Sequence, residues 1–259
     1  FLIKIHTLIL PFSLGNIFTH LLLFSFIGFN GVVLIFKTFT NFNVSKSYLI
    51  FCIPSFWIFA NSGTKDSIIF TSISFILYVF TTNNFKKWFL WLLIIFALYL
   101  IYFLRPYIAL AIIPFIFTNS IQLISKKQIN FYLIFIFYIF MFLCFFQINQ
   151  IQLFETLKFK QNDLILVAKE MHSSTSFEIL ILNKPIDLFY NSIPSIYNVL
   201  FKPLVTDFKN PGIILMTIEN WILMIIIIYS MINSIKKRNV LNFNLLLFCI
   251  LIFLFIGWT

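Results

Sequence analysis

The sequence predicts an all-α fold: a polytopic transmembrane helical bundle of about eight spans, with a long external loop containing amphipathic helices. Three observations predict it. A mean hydropathy of +1.01 with only 10% charged residues over 259 positions is more apolar than a soluble domain of this size keeps in solution. The apolar segments are Ile, Leu and Phe runs of helix length with little period-two alternation, so helices rather than barrel strands satisfy the backbone. The short loops carry their basic residues on alternate sides of these runs.

Taken in order, the spans fall near 17 to 36, 48 to 60, 66 to 80, 88 to 104, 106 to 124, 131 to 149, 213 to 232 and 243 to 258. The segments 48 to 60 and 66 to 80 are short for a crossing. They either extend into the polar stretch beside them or form a re-entrant pair around Gly63. The whole of 1 to 259 reads as one polytopic membrane domain, with 150 to 212 as its external loop. A start at Phe1 and a stop at Thr259 directly after an apolar run predict a fragment of a longer protein.

Lys37 and Lys46, Lys86 and Lys87, Lys126 and Lys127, and Lys236, Lys237 and Arg238 all fall on one face of the predicted spans, which the positive-inside rule makes cytoplasmic. The opposite face receives or borders every acidic residue: Asp66, Glu155, Asp163, Glu170, Glu178, Asp187, Asp207 and Glu219. The formal net charge of +10 is therefore mostly anchor charge beside anionic lipid, and no nucleic-acid partner is implied. Stretches such as "FKKWFLW" read as an interfacial belt. The 38 Phe residues read as compositional drift. Cys52, Cys144 and Cys249 each sit in an apolar run and read as buried small hydrophobes, not as a disulfide or metal framework.

The external loop holds six acids and six lysines and divides in two. "ETLKFKQNDLILVAKEMHSSTSFEILIL" has helical spacing and predicts amphipathic helix on the outer membrane face. Pro185, Pro194, Pro203 and Pro211 break the remainder into short pieces. His172 is a candidate general base or a plain surface residue.

Arg105, in "YLIYFLRPYIAL", is a permanent cation between two apolar runs, where membrane insertion is costly. It is either a snorkelling anchor or, because Pro106 breaks the helix beside it, a fixed guanidinium facing an external cavity. Lys65 and Asp66 open toward the same predicted face. Two cations and a carboxylate at one membrane boundary make a diphosphate site. Asp66 is a candidate base or an N-terminal helix cap.

Pro54-Ser55 with Trp57, Ser62-Gly63 followed by Lys65-Asp66, Arg105-Pro106, "LFKP" at Leu200 to Pro203, and Glu219-Asn220 together resemble bacterial polysaccharide polymerases. These are the polytopic enzymes that join the repeat units of O-antigen and exopolysaccharide. Where relatives tend to carry Arg-Pro, this chain has Lys202-Pro203, which keeps the charge but loses the bidentate fork.

The resemblance implies transfer of a glycan from undecaprenyl diphosphate to a sugar hydroxyl of the next lipid-linked unit, on the outer face of the bacterial inner membrane. It implies Lys65, Arg105 and Lys202 on the diphosphate and Asp66, Glu170 or His172 as proton acceptor, with no metal and no cofactor. The implied partners are the lipid-linked oligosaccharide, membrane lipid and other polysaccharide-assembly proteins. Two alternatives stay open. One is a glycosyltransferase using a polyprenyl-phosphate sugar, which usually places acids in its first external loop. The other is a flippase of lipid-linked oligosaccharide, for which charges at mid-membrane and matching halves are expected.

Overall fold

Apolar runs without Gly or Pro wind into helices because each residue adds one intrachain hydrogen bond and, in lipid, no water competes for it. A computed structural model of the chain describes residues 7, 10–11, 16–40, 65–82, 88–125, 130–170, 182–184, 186–202, 211–237 and 239–258. Among them the chain is all-α, with no strand. The helices are α1 (Ile17–Thr40), α2 (Lys65–Thr81), α3 (Trp88–Leu104), α4 (Pro106–Ser125), α5 (Phe131–Glu170), α6 (Asp187–Tyr190), α7 (Ser192–Phe201), α8 (Pro211–Lys236) and α9 (Val240–Trp258).

Their starts follow local chemistry. Asn16, Asn130 and Asn239 precede α1, α5 and α9, and the side-chain oxygen of each accepts a backbone N–H two or three residues on, from Phe18, Tyr132 and Asn242. Pro106 and Pro211 open α4 and α8, where a missing N–H is harmless.

Among the described residues two helices are long and apolar enough to cross a membrane, Ile17–Thr38 and Thr217–Lys236, and four shorter apolar helices accompany them. The span expected at 48 to 60 and the turn at Gly63 lie outside the described residues. The helix expected to end near 149 continues to Glu170 as one element of 40 residues. Residues 131 to 170 contain neither Gly nor Pro, and the polar residues that begin at Gln147 do not break a helix. The short pieces expected after Pro185 are α6 and α7.

The chain divides into two compact units, Phe1–Leu110 and Ala111–Thr259. The division falls inside α4, four residues before the Pro114 that denies the Leu110 carbonyl its helical partner. In the first unit α2 packs against both α1 and α3. Small residues make the α1–α2 approach possible: a Cβ placed on Gly31 would lie 2.8 Å from the Phe70 ring and 2.9 Å from the Thr71 Cα. The Thr71 hydroxyl lies 2.8 Å from the carbonyls of Ile27 on α1 and of Ser67 on its own helix, so it joins the two helices. Buried Ser67 and Ser74 continue the small-residue face of α2.

In the second unit α9 is the hub, packing against α5, α7 and α8. Ile134 and Tyr138 of α5 meet Val240, Phe243 and Leu247 of α9 in one buried cluster. Phe115 of α4 packs on Phe248, and Phe117 stacks on Phe137. A polar seam runs through this apolar core. The Asn244 Nδ2 donates to Asn119 Oδ1 at 3.3 Å, and the Tyr138 hydroxyl donates to the Asn244 carbonyl at 3.2 Å.

Candidate functional site

Arg105 occupies the break between α3 and α4, and its backbone serves both helices. Its N–H donates to the Ile101 carbonyl at 2.8 Å and closes α3, while its own carbonyl accepts from Ile108 at 3.0 Å in the first turn of α4. The side chain is consequently aimed by two helices at once, and Pro106 keeps the backbone from continuing as one straight helix.

The guanidinium meets the first turn of α2. Arg105 Nη2 lies 2.6 Å from Asp66 Oδ1, with about a quarter of each side chain exposed (25% and 23%). Arg105 Nη1 donates to the Tyr107 hydroxyl at 2.9 Å. Tyr107 is itself 93% buried, being 7% exposed, so its phenol is a fixed acceptor. Arg105 Nε is buried and has no hydrogen-bond partner among the described residues.

Asp66 sits in the first turn of α2, where the unpaired amides of a helix start favour a negative charge. Lys65 is half-buried beside it at the helix start. Asp66 forms an ion pair with Arg105, which sits far along the chain at the break between α3 and α4. Lys65, Asp66 and Arg105 together carry one net positive charge, half-screened from water, which suits recognition of an anionic group by charge-assisted hydrogen bonds.

The remaining residues expected at a site belong to the second unit. Lys202 follows α7, and its carbonyl accepts from Asn220 Nδ2 of α8 at 3.0 Å. This contact joins "LFKP" to Glu219-Asn220, two of the stretches on which the family resemblance rests. Glu170 is the last residue of α5, and His172 lies outside the described residues. Among the described residues no group of three or more His, Cys, Asp or Glu side chains is placed to hold a metal ion.

Sequence reasoning missed Tyr107. The only signal was the spacing "RPY", which sets the phenol two residues past the cation, where the helix start lets the two side chains meet. Comparison of the chain with protein-family models, with curated proteins and with solved structures gives no match.

Proposed function

We propose that this protein is a polymerase of lipid-linked oligosaccharide repeat units in the bacterial inner membrane, with about eight spans and the 150 to 212 segment on the periplasmic or extracellular side. The observation that carries the reading is the Arg105 guanidinium, held at a helix break by Asp66 and Tyr107 beside Lys65. A glycosyl diphosphate already has a good leaving group, so the protein must chiefly stabilise departing negative charge and position the acceptor hydroxyl.

In this reaction the acceptor oxygen forms a bond to the anomeric carbon as the bond from that carbon to the diphosphate oxygen breaks. The electron pair leaves with the diphosphate, and the hydroxyl proton passes to a base. Arg105 and Lys65 hold the diphosphate. The resemblance names Asp66, Glu170 or His172 as proton acceptor, and of these Asp66 is the one that shares a unit with Arg105 and Lys65. The contact between Asp66 and Arg105 favours orienting the guanidinium as the first duty of Asp66.

The test is chain extension by the full protein in vesicles supplied with an undecaprenyl-diphosphate-linked oligosaccharide. Arg105→Lys is expected to slow extension by at least about tenfold with the inserted amount unchanged, because hydrogen bonds to charged groups are worth ~1.5–3 kcal/mol each and an ammonium cannot replace the fork. Extension at the parental rate would remove the diphosphate assignment. Substrate crossing the bilayer without growing would favour the flippase, and transfer from a polyprenyl monophosphate alone would favour the glycosyltransferase.

A further inference from the structure

The short helices α6 and α7 expose an unusual face. Ile186, Phe189, Tyr190, Ile193 and Tyr197 are all exposed, with Tyr190 at 77% and Ile193 at 81%. Their spacing of three, four, seven and eleven residues from the first places them on one helical stripe. The other side is fully used: Leu188 and Ser195 are completely buried, and α7 packs against α8 and α9. An aromatic and aliphatic stripe of this kind is rarely left to water.

The level of this stripe on its own unit is fixed by a contact. Asn220 Nδ2 donates to the Lys202 carbonyl at the end of α7, and Asn220 is the fourth residue of Thr217–Lys236, the stretch of α8 long and apolar enough to cross a membrane. One turn of helix is ~5.4 Å, so the end of α7 stands within a turn of where that stretch begins. The charges fit the same boundary. Lys184 and Lys202 bracket the stripe, while the single carboxylate between them, Asp187, accepts the backbone N–H groups of Asn183 and Lys184 at 2.9 and 2.8 Å. Aromatic side chains with polar tips and flanking lysines match the headgroup region of a bilayer.

We infer that α6 and α7 form a foot whose Ile186, Phe189, Tyr190, Ile193 and Tyr197 lie in the boundary between headgroups and acyl chains, with Lys184 and Lys202 at anionic headgroups. The placement fixes the register of α8 in the membrane and does not depend on the reaction proposed above.

Collisional accessibility of spin labels tests it, using the full chain with Cys52, Cys144 and Cys249 replaced by Ser, in vesicles of phosphatidylethanolamine and phosphatidylglycerol. Labels attached after Tyr190→Cys and Ile193→Cys should collide readily with oxygen and poorly with a water-soluble nickel chelate, at shallow depth. A label after Asn183→Cys, an exposed polar position, should show the reverse. All three positions project from the surface, so labelling leaves the packing intact. Nickel access at 190 and 193 equal to that at 183 overturns the proposal, as does a depth at the bilayer centre. Dipolar broadening between labels on separate copies also overturns it, because a second chain would then cover the stripe.

Discussion

Tyr107 is the residue whose role the structure adds, and its removal separates orientation from charge. Tyr107→Phe keeps the ring and the buried volume but deletes the acceptor for Arg105 Nη1. A hydrogen bond to a charged group is worth ~1.5–3 kcal/mol, so chain extension should fall about tenfold or more while Arg105 keeps its charge. Measured rates with saturating and limiting donor show whether the loss lies in kcat, as expected for an interaction that tightens as the diphosphate departs. Asp66→Asn keeps a hydrogen-bond acceptor for Arg105 Nη2 but cannot take a proton. An orienting carboxylate predicts partial activity for this variant, and a general base predicts almost none. Arg105 and Asp66 were both legible in the sequence as polar residues at the ends of apolar runs. Their pairing was not, because residues this far apart in the chain carry no spacing that reports contact, and Lys65 is the nearer cation in sequence.

At the scale of elements, helix identity was largely legible and helix neighbours were not. Apolar runs, Asn caps and Pro at first positions fix where α1, α3, α4, α8 and α9 lie. Partner choice is hidden because α3 is apolar all round, although Ile94, Ala97 and Ile101 are buried while Leu92, Ile95 and Phe96 are exposed. The one readable hint of packing is glycine. Gly31→Leu should separate α1 from α2, since the Thr71 backbone that the new Cβ would meet cannot rotate away. Overpacking of this kind costs ~1–3 kcal/mol, and unfolding of the purified protein in mixed micelles reads it. Thr71→Val, which deletes the hydroxyl between the helices, should cost less, near the ~0.6 kcal/mol average for hydrogen bonds between membrane helices. Before α6, the two backbone hydrogen bonds from Lys184 and Asn183 hold the Asp187 carboxyl below its ordinary range. A depressed carboxyl stabilises the folded turn above its unfolded-state value, and that contribution disappears as pH falls through the lowered folded-state value. Asp187→Ala at neutral pH should therefore reproduce the acid effect, speeding amide exchange at Asn183 and Lys184 and leaving the middle of α7 protected.

For the whole molecule, the orientation that the charges predict can be tested through α5. A helix rises ~1.5 Å per residue against a hydrocarbon core of ~30 Å. At 40 residues α5 is about twice as long as a crossing needs. Its apolar half begins at Phe131, next to Lys126 and Lys127, and its second half carries Glu155, Lys158, Lys160, Asp163 and Glu170. If the lysine end is cytoplasmic, the first half of α5 crosses and the second stands clear of the opposite surface as continuous helix. In a background without Cys52, Cys144 and Cys249, a membrane-impermeant thiol reagent should label a cysteine introduced by Ser125→Cys only from the cytoplasmic side. One introduced by Asn162→Cys, exposed on the distal half of α5, should label only from outside. Both positions are exposed, so failure to react reports sidedness rather than burial. Labelling of 162 from the cytoplasm would invert the predicted topology, and the expected outer placement of Arg105 would fall with it. Labelling of both from one side would mean that α5 does not cross, and the span count would fall with it.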